Sequence, residues 1–442
     1  MIRYRKGGIS EIRSWRAQKG YKFFTGFCLY KIRPTKEIWV RMAEHYDIII
    51  VGGGPAGLAA AKAAAGEGGK VLLLEMQSQI GGQTQSATWA PASVLSQNLK
   101  EAVCNDVHRV KLSSPHQQLA VDGDFGAILD RRVFDKLLAA DAVDSGAEIW
   151  VSSPVKELIV SNGIVKGVHA EAGTWSESLE CEVVIDASGA QGQWSSLLLR
   201  KLFKRDWDRE QLVLSNEYIM ANASAREVEL FFNSYFAPLG HAWVYPFDRR
   251  FAMVGIRGVR IHPDVALDEF IGRRSIPSLE NAVPIAAFRS QLSIEGALSP
   301  TCADGILSVG GAAGLVYALS GEGLRHALAC GELAGKIAVD SITEGNVSKD
   351  ALMEYDRSWR AKFEPELRIG QLLQSSLKTS PDQKMDSLLS SLAGDVKIQR
   401  AFVNVFMCAE LGESLKSLFS SEDVRGVFGR ATAEKALSLC KP

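Results

Sequence analysis

The chain lacks several things, and each shortage removes a class of function. No stretch approaches the roughly 18 consecutive apolar residues of a spanning helix, so any membrane contact would be peripheral. Seven cysteines are scattered singly, with no CxxC pair and no histidine cluster beside them. That pattern argues against a disulfide framework or a structural zinc and fits a reduced, cytosolic compartment; no metal is expected. Histidine is scarce, seven in all, so few side chains titrate near neutrality. Internal repeats and low-complexity tracts are missing, and only one GxGxxG occurs. At 442 residues, 46% hydrophobic and 23% charged, the chain has the makeup of a folded protein of two or three domains.

Charge is balanced overall at -1 but unevenly placed. Residues 1 to 41 hold eleven Lys/Arg against Glu11 and Glu37, a net +9 that leaves -10 for the rest. An acidic body argues against nucleic acid as a partner. Two readings of the basic head (1–44) are open: a membrane-surface or transit-like arm, or a segment that is not expressed, since Met42 runs straight into the first strand.

The apolar run Tyr46-Asp-Ile-Ile-Ile-Val51 reads as a strand buried on both faces. It feeds Gly52-Gly-Gly-Pro-Ala-Gly57, an Ala-rich helix, a glycine stop, and Val71-Leu-Leu-Leu-Glu75. This is strand, GxGxxG, helix, strand, acid. Gly52 makes the tight turn, Gly54 lets backbone approach a pyrophosphate, and Gly57 lets helix pack on strand. The pyrophosphate would sit at the helix N-terminus, and Glu75 would accept from ribose hydroxyls and repel a 2'-phosphate. The site therefore suits the adenosine of FAD or NAD. Further strand-then-glycine segments at Glu182-Val-Val-Ile-Asp-Ala-Ser-Gly189 and Ile306-Leu-Ser-Val-Gly-Gly-Ala-Ala-Gly314, then Ser320-Gly-Glu-Gly-Leu324 opening a helix, return to the same fold, as a long FAD requires.

These motifs, with Leu129-Asp-Arg-Arg-Val-Phe-Asp135 and the helix around Tyr355-Asp-Arg-Ser-Trp359, resemble the geranylgeranyl reductase family of FAD-dependent oxidoreductases, which shares its plan with the aromatic hydroxylases. The most specific piece is Pro238-Leu-Gly-His-Ala-Trp-Val-Tyr-Pro246. The family carries P-x-x-Y-x-W-x-F-P with a glycine nine residues on, and Pro238, Trp243, Pro246 and Gly255 match. At three places the chain differs: Gly310-Gly311 where most such flavoproteins have Gly-Asp, Tyr317-Ala318 for Asn-Pro, and Ser86-Ala87 for Cys-Gly.

The resemblance implies an α/β fold: a Rossmann-like FAD-binding domain (45–204 and 301–345), an inserted antiparallel-sheet substrate domain (205–300), and a C-terminal helical region (346–442). It implies that Ala56, Glu75 and Arg131 serve the adenosine and phosphates, and that Val155 meets adenine through its backbone. Gly189, Gly311 and Gly314 would line the flavin side, and Gly323 and Leu324 would offer amides to its pyrimidine end. His241, Trp243, Tyr245 and Pro246 would line a prenyl tunnel above the ring, with His241 and Tyr245 the candidates for proton donor. The implied reaction is reduction of C=C bonds in a polyprenyl chain, with electrons from an external donor: NAD(P)H, ferredoxin or a quinol. Two alternatives stay open, a flavin monooxygenase or halogenase on the same fold, and a degenerate lipid-binding relative.

The tail from Ser348 reads as helices, with Leu352, Tyr355, Trp359 and Phe363 on one face and a kink or restart at Pro365. The stripe Phe402, Val405, Phe406 and Ala409 is expected to be core against the substrate domain, with a membrane lip as the other reading.

Overall fold

Only a strand covered on both faces can hide an uninterrupted apolar run, and β1 (Tyr46–Val51) does so by alternation. Ile48 and Ile50 enter one core while Ile49 and Val51 enter another. Around it lie β2 (Val71–Leu74), β8 (Glu148–Trp150), β11 (Trp175–Asp186) and β18 (Ile306–Ser308), all parallel, in the order β18-β11-β1-β2-β8. The short β17 (Cys302–Ala303) edges this sheet, while β9 (Val155–Ser161) and β10 (Ile164–Ala172) extend it antiparallel through β11. The computed structural model describes residues 45–440 except 82–86, 96, 173–174, 192–194 and 274–275. The basic head and Ser86 thus lie outside the described residues.

On one face of the sheet lie α1 (Pro55–Gly66), α2 (Arg131–Asp144) and α4 (Leu324–Thr343). The contact between α1 and α4 is backbone against backbone. A Cβ on Gly331 would collide with the Ala56 carbonyl, and one on Gly335 would lie 2.5 Å from the Ala60 oxygen. Ala-rich α1 and glycines in α4 are what such an approach needs.

A second sheet of seven strands has the order β16-β12-β15-β14-β13-β5-β6. Its members are β5 (Arg109–Ser113), β6 (Gln118–Asp122), β12 (Leu212–Ala221), β13 (Val228–Phe231), β14 (His241–Pro246), β15 (Phe251–Val259) and β16 (Val283–Ser293). All its pairings are antiparallel except β13 with β5. Two of the strands therefore come from 109–122, inside the segment that the sequence assigns to the nucleotide domain. A parallel pairing between positions more than a hundred residues apart leaves no local signal. One face carries α3 (Pro263–Arg273) through Leu267 and Phe270. A three-stranded sheet of β3 (Ala87–Ala90), β4 (Val103–Asp106) and β7 (Ala127–Asp130) completes the strands.

Helix α5 (Lys349–Ser376) continues past Pro365 as one helix, so of the kink or restart expected there the restart does not occur. It joins both halves. Tyr355 Oη donates to the Ser308 carbonyl and Trp359 Nε1 to Thr301 Oγ1 on the nucleotide side, while Ile369 and Leu373 enter the core of the second sheet. There α6 (Pro381–Leu392), α7 (Val396–Phe406), α8 (Leu411–Leu418), α9 (Glu422–Phe428) and α10 (Arg430–Leu439) cover the sheet. Phe402, Val405 and Phe406 are buried there with Val110 and Trp243, so the stripe is core. Among the described residues no helix is long and apolar enough to cross a membrane.

Because the α1–α4 contact has no room for a side chain, Gly335→Leu is expected to cost about 3 kcal/mol or more. A urea titration with an unmoved midpoint would show the contact to be looser than described.

Candidate active site

Three glycine turns converge at the carboxyl ends of β1, β11 and β18, the place where open parallel sheets bind ligands. Gly52, at φ +109°, packs against the Ala187 carbonyl, and a Cβ on Gly57 would strike the Gly52 oxygen. Gly310, at φ +57°, faces Ala56, and Gly311 lies against Gly189. Gly314 closes the turn at φ +72°, tight against the Gly296 carbonyl. Gly54 differs from these. Its φ of -81° is ordinary, and a Cβ there would meet nothing within 4 Å. Open space at that position, at the start of a helix that no side chain caps, is what a pyrophosphate would fill.

Glu75 follows β2 and its carboxylate accepts from Gly53 N at 2.6 Å and Gln77 N at 2.7 Å, so the acid also shapes the glycine loop. Gly53 was not singled out from the sequence, although it crowds Glu75 and Ile80. The 152–153 segment lies beside Glu75, with Ser153 N donating to the Glu75 carbonyl, and Val155 opens β9 two residues on. Arg131 opens α2 with its guanidinium held by both oxygens of Asp135 at 3.0 Å and by Thr88 Oγ1 at 3.4 Å. Ala87 begins β3. Gly323 caps α4 without a side-chain bond, and Leu324 is its first residue.

Strand β14 carries the aromatic motif, and all six of its residues are buried. Trp243 and Tyr245 stack at 5.9 Å; Trp243 Nε1 donates to the Met253 sulfur, and its indole occupies the space a side chain at Gly255 would need. Tyr245 meets Trp89 edge-on at 6.3 Å, and Pro246 ends the strand opposite Ala252. Of its rings, His241 borders a cavity, beside Leu239 and Gly240 of the same motif. That space, of about 60 Å³, is walled by Phe232, Leu239, Met385, Phe402 and Phe406 with Asp382 and Gln374. Burial, then the neighbouring Arg257 charge, pushes His241 well below its ordinary 6.5, and burial pushes Tyr245 up. At neutral pH the imidazole is therefore uncharged and the phenol keeps its proton.

At the start of α4 sits a buried ionic network that sequence reading missed. His326 lies between Glu322 (Nδ1 to Oε2, 3.3 Å) and Glu366 (Nε2 to Oε2, 3.1 Å), and Arg325 Nη2 reaches Glu366 at 2.6 Å and Cys408 Sγ at 3.4 Å. Burial alone would lower His326, but its two carboxylate partners raise it; burial would raise both glutamates, and the cations hold them below 4.5. His326, Glu366 and Cys408 have the donor types of a metal site. The Arg325 guanidinium already holds two of the three, so the set is an ion-pair network that ties the first turn of α4 to α5 and to the end of α7. Spacing gave one clue, Glu322 and His326 one turn apart; the partners 40 residues on gave none.

A parallel sheet with a glycine cradle open at Gly54 and flanked by an acid at Glu75 has the form of a dinucleotide site, and the comparisons make the dinucleotide FAD. Residues 47–192 match the family model for FAD dependent oxidoreductases. The chain is 30% identical over 371 residues, 80% of its length and 91% of the relative's, to a digeranylgeranylglycerophospholipid reductase of Methanoculleus marisnigri. It is 31% identical to a reductase of that name, number 2, from Methanothermobacter thermautotrophicus, covering 79% of this chain and 92% of that one. Among solved structures, a geranylgeranyl bacteriochlorophyll reductase-like protein of Thermoplasma acidophilum superposes with a TM-score of 0.74 at 25% identity, over 87% of this chain and 98% of that one. A flavin-dependent brominase shares the fold at TM-score 0.67 and 17% identity, covering 88% of this chain and 99% of that one. The chain is an FAD-dependent oxidoreductase. It belongs to the geranylgeranyl reductase family.

Two variants test the cradle. Gly54→Val should leave the melting temperature of the FAD-free protein nearly unchanged, since the new side chain meets open space, yet weaken FAD uptake at least tenfold; equal FAD titrations would refute the placement. Position 311 has ordinary van der Waals room, a Cβ lying 3.5 Å from the Gly189 Cα. Gly311→Asp should therefore add a charged hydrogen bond worth about 1.5–3 kcal/mol and tighten FAD by about one to two decades, against which an unchanged or weaker Kd would count.

Proposed function

We propose that the chain reduces carbon–carbon double bonds in a polyprenyl chain carried by a lipid. The observation that carries this reading is the cavity beside β14: its walls are mostly aromatic and aliphatic, with Asn233, Ser234, His241 and Gln374 as polar neighbours and Asp382 as the one charged residue among those that line it. Such walls offer dispersion contact to a hydrocarbon and nothing to activate an aromatic acid. The names of the reductase relatives point to the same substrate class.

FAD, once bound and reduced by the external donor, would supply a hydride to one alkene carbon, and the second hydrogen would arrive as a proton. Residues of the Gly52–Gly57 turn and Glu75 would hold its adenosine half, and Gly323 and Leu324 its ring end. The chain's own part is to position and to keep water out. Phe232, Phe402 and Phe406 line the substrate cavity, and Trp243 and Tyr245 belong to the same packed core. Neutral His241 is a poor acid and burial weakens the Tyr245 phenol as an acid too, so an ordered water would supply the proton. The cavity, about 60 Å³, holds a short part of a prenyl tail, and a longer one would need room beyond it. The electron donor is external, and the lipid would be met at a membrane surface.

Mixing the FAD-loaded, dithionite-reduced protein with a geranylgeranyl lipid under nitrogen should return the oxidised flavin spectrum and give product heavier by two hydrogens per bond, seen by mass spectrometry. Reoxidation that needs oxygen and an aromatic substrate, with the lipid unchanged, would replace this reading with a monooxygenase or halogenase.

A further inference from the structure

His241 and Arg257 stand directly opposite one another on β14 and β15. Arg257 Nη2 lies 2.9 Å from His241 Nε2. A guanidinium has donors only, so Nε2 accepts, and a neutral ring must then carry its proton on Nδ1. Arg257 is itself held in place. Its guanidinium carbon lies 5.4 Å from the centre of a Trp243 ring, and its tip fills the space that a side chain at Gly321 would occupy, in the loop that leads into α4. The imidazole is wedged between Phe232, Trp243 and Phe406 at 5.8, 5.6 and 5.2 Å between ring centres. Among the described residues Nδ1 has no hydrogen-bond partner, and the ring borders the cavity. Of the other polar groups in the wall, Ser234 Oγ already donates to Asp382 and Gln374 Nε2 to the Leu239 carbonyl, whereas Nδ1–H of the ring is held in place with its donor unspent.

We infer that Arg257 locks His241 as a neutral imidazole whose Nδ1–H is a specificity determinant, seating an uncharged oxygen acceptor attached to a prenyl chain: an ether, ester or hydroxyl oxygen. The inference rests on the function proposed above and narrows it. An anionic group is a poor fit for the same space, because Asp382 borders it with a carboxylate already accepting from Ser234 N and Oγ at 2.7 and 2.8 Å. A bare hydrocarbon fits the walls but leaves the Nδ1–H without an acceptor, which disfavours it. Arg257 acts through His241 and is a positioning residue; it was legible only once the register of β14 and β15 was known, since a lone arginine in the strand Phe251–Val259 carries no motif.

The test uses the FAD-loaded protein and three probes: geranylgeraniol, the C20 hydrocarbon of the same chain without oxygen, and geranylgeranyl diphosphate. Calorimetric titration of the wild type should give about tenfold preference for the alcohol over the hydrocarbon, and weaker binding of the diphosphate than of the alcohol. His241→Phe should lose the preference. His241→Asn, whose amide N–H falls where Nδ1–H was, should keep it, and His241→Gln should not. Independently of any ligand, nitrogen NMR of the labelled ring should show Nδ1 protonated in the wild type and a mixture of tautomers in Arg257→Met. A wild type that binds no prenyl probe overturns the proposed function and this inference with it. One that binds alcohol and hydrocarbon alike, prefers the diphosphate, or carries its proton on Nε2 overturns the donor role alone.

Discussion

The structure depends on backbone meeting backbone where three parallel strands end. Gly52, Gly57, Gly310 and Gly331 each stand where a side chain would strike a main-chain atom or Ala56, and together they bring β1, α1, the Gly310 turn and α4 to one point. Close approach there leaves Gly54 facing open space and the first turns of two helices without side-chain caps. The orphan amides and dipole at the start of α1 make an anion site from the chain's geometry alone, with little contribution from side chains. Glu75 adds a carboxylate to the cradle and also fixes the loop through Gly53.

The second sheet is joined to this cradle by a few specific contacts. Arg257 reaches from β15 to the Gly321 loop, and the Glu322–His326–Glu366–Arg325 network fastens the beginning of α4 to α5 and to Cys408. Helix α5 then carries the connection across, with Trp359 in one core and Leu373 in the other. The two ends of the expected FAD site are thus held differently. The end expected to take adenosine is shaped by glycine packing, and the end expected to take the ring is held by part-buried ion pairs, which favour one geometry more than they add stability.

Much of the nucleotide half was legible in the sequence because its signals are local. A buried strand, a glycine turn, an Ala-rich helix and an acid follow one another within thirty residues, and each has a physical reason to be there. The sheet half was less legible. Its aromatic strand was recognisable, but alternation could not say which ring would meet a cavity: His241 does, while Trp243 and Tyr245 pack against Met253, Gly255 and Trp89. Strands β5 and β6, the partner of His241, and the glutamate at 366 all depend on pairings between distant positions. Such pairings are set by tertiary packing, and no window of the sequence contains both members.

The cradle's claim to FAD is the point on which the rest turns, and an FAD titration of the purified protein, followed by calorimetry and the visible spectrum, tests it most directly. One equivalent bound, with a flavin spectrum shifted from that of free FAD and bleached by dithionite, is the predicted result. A colourless protein that takes up no FAD at any concentration tried would contradict it, and would leave a lipid-binding relative of the reductases in place of an enzyme.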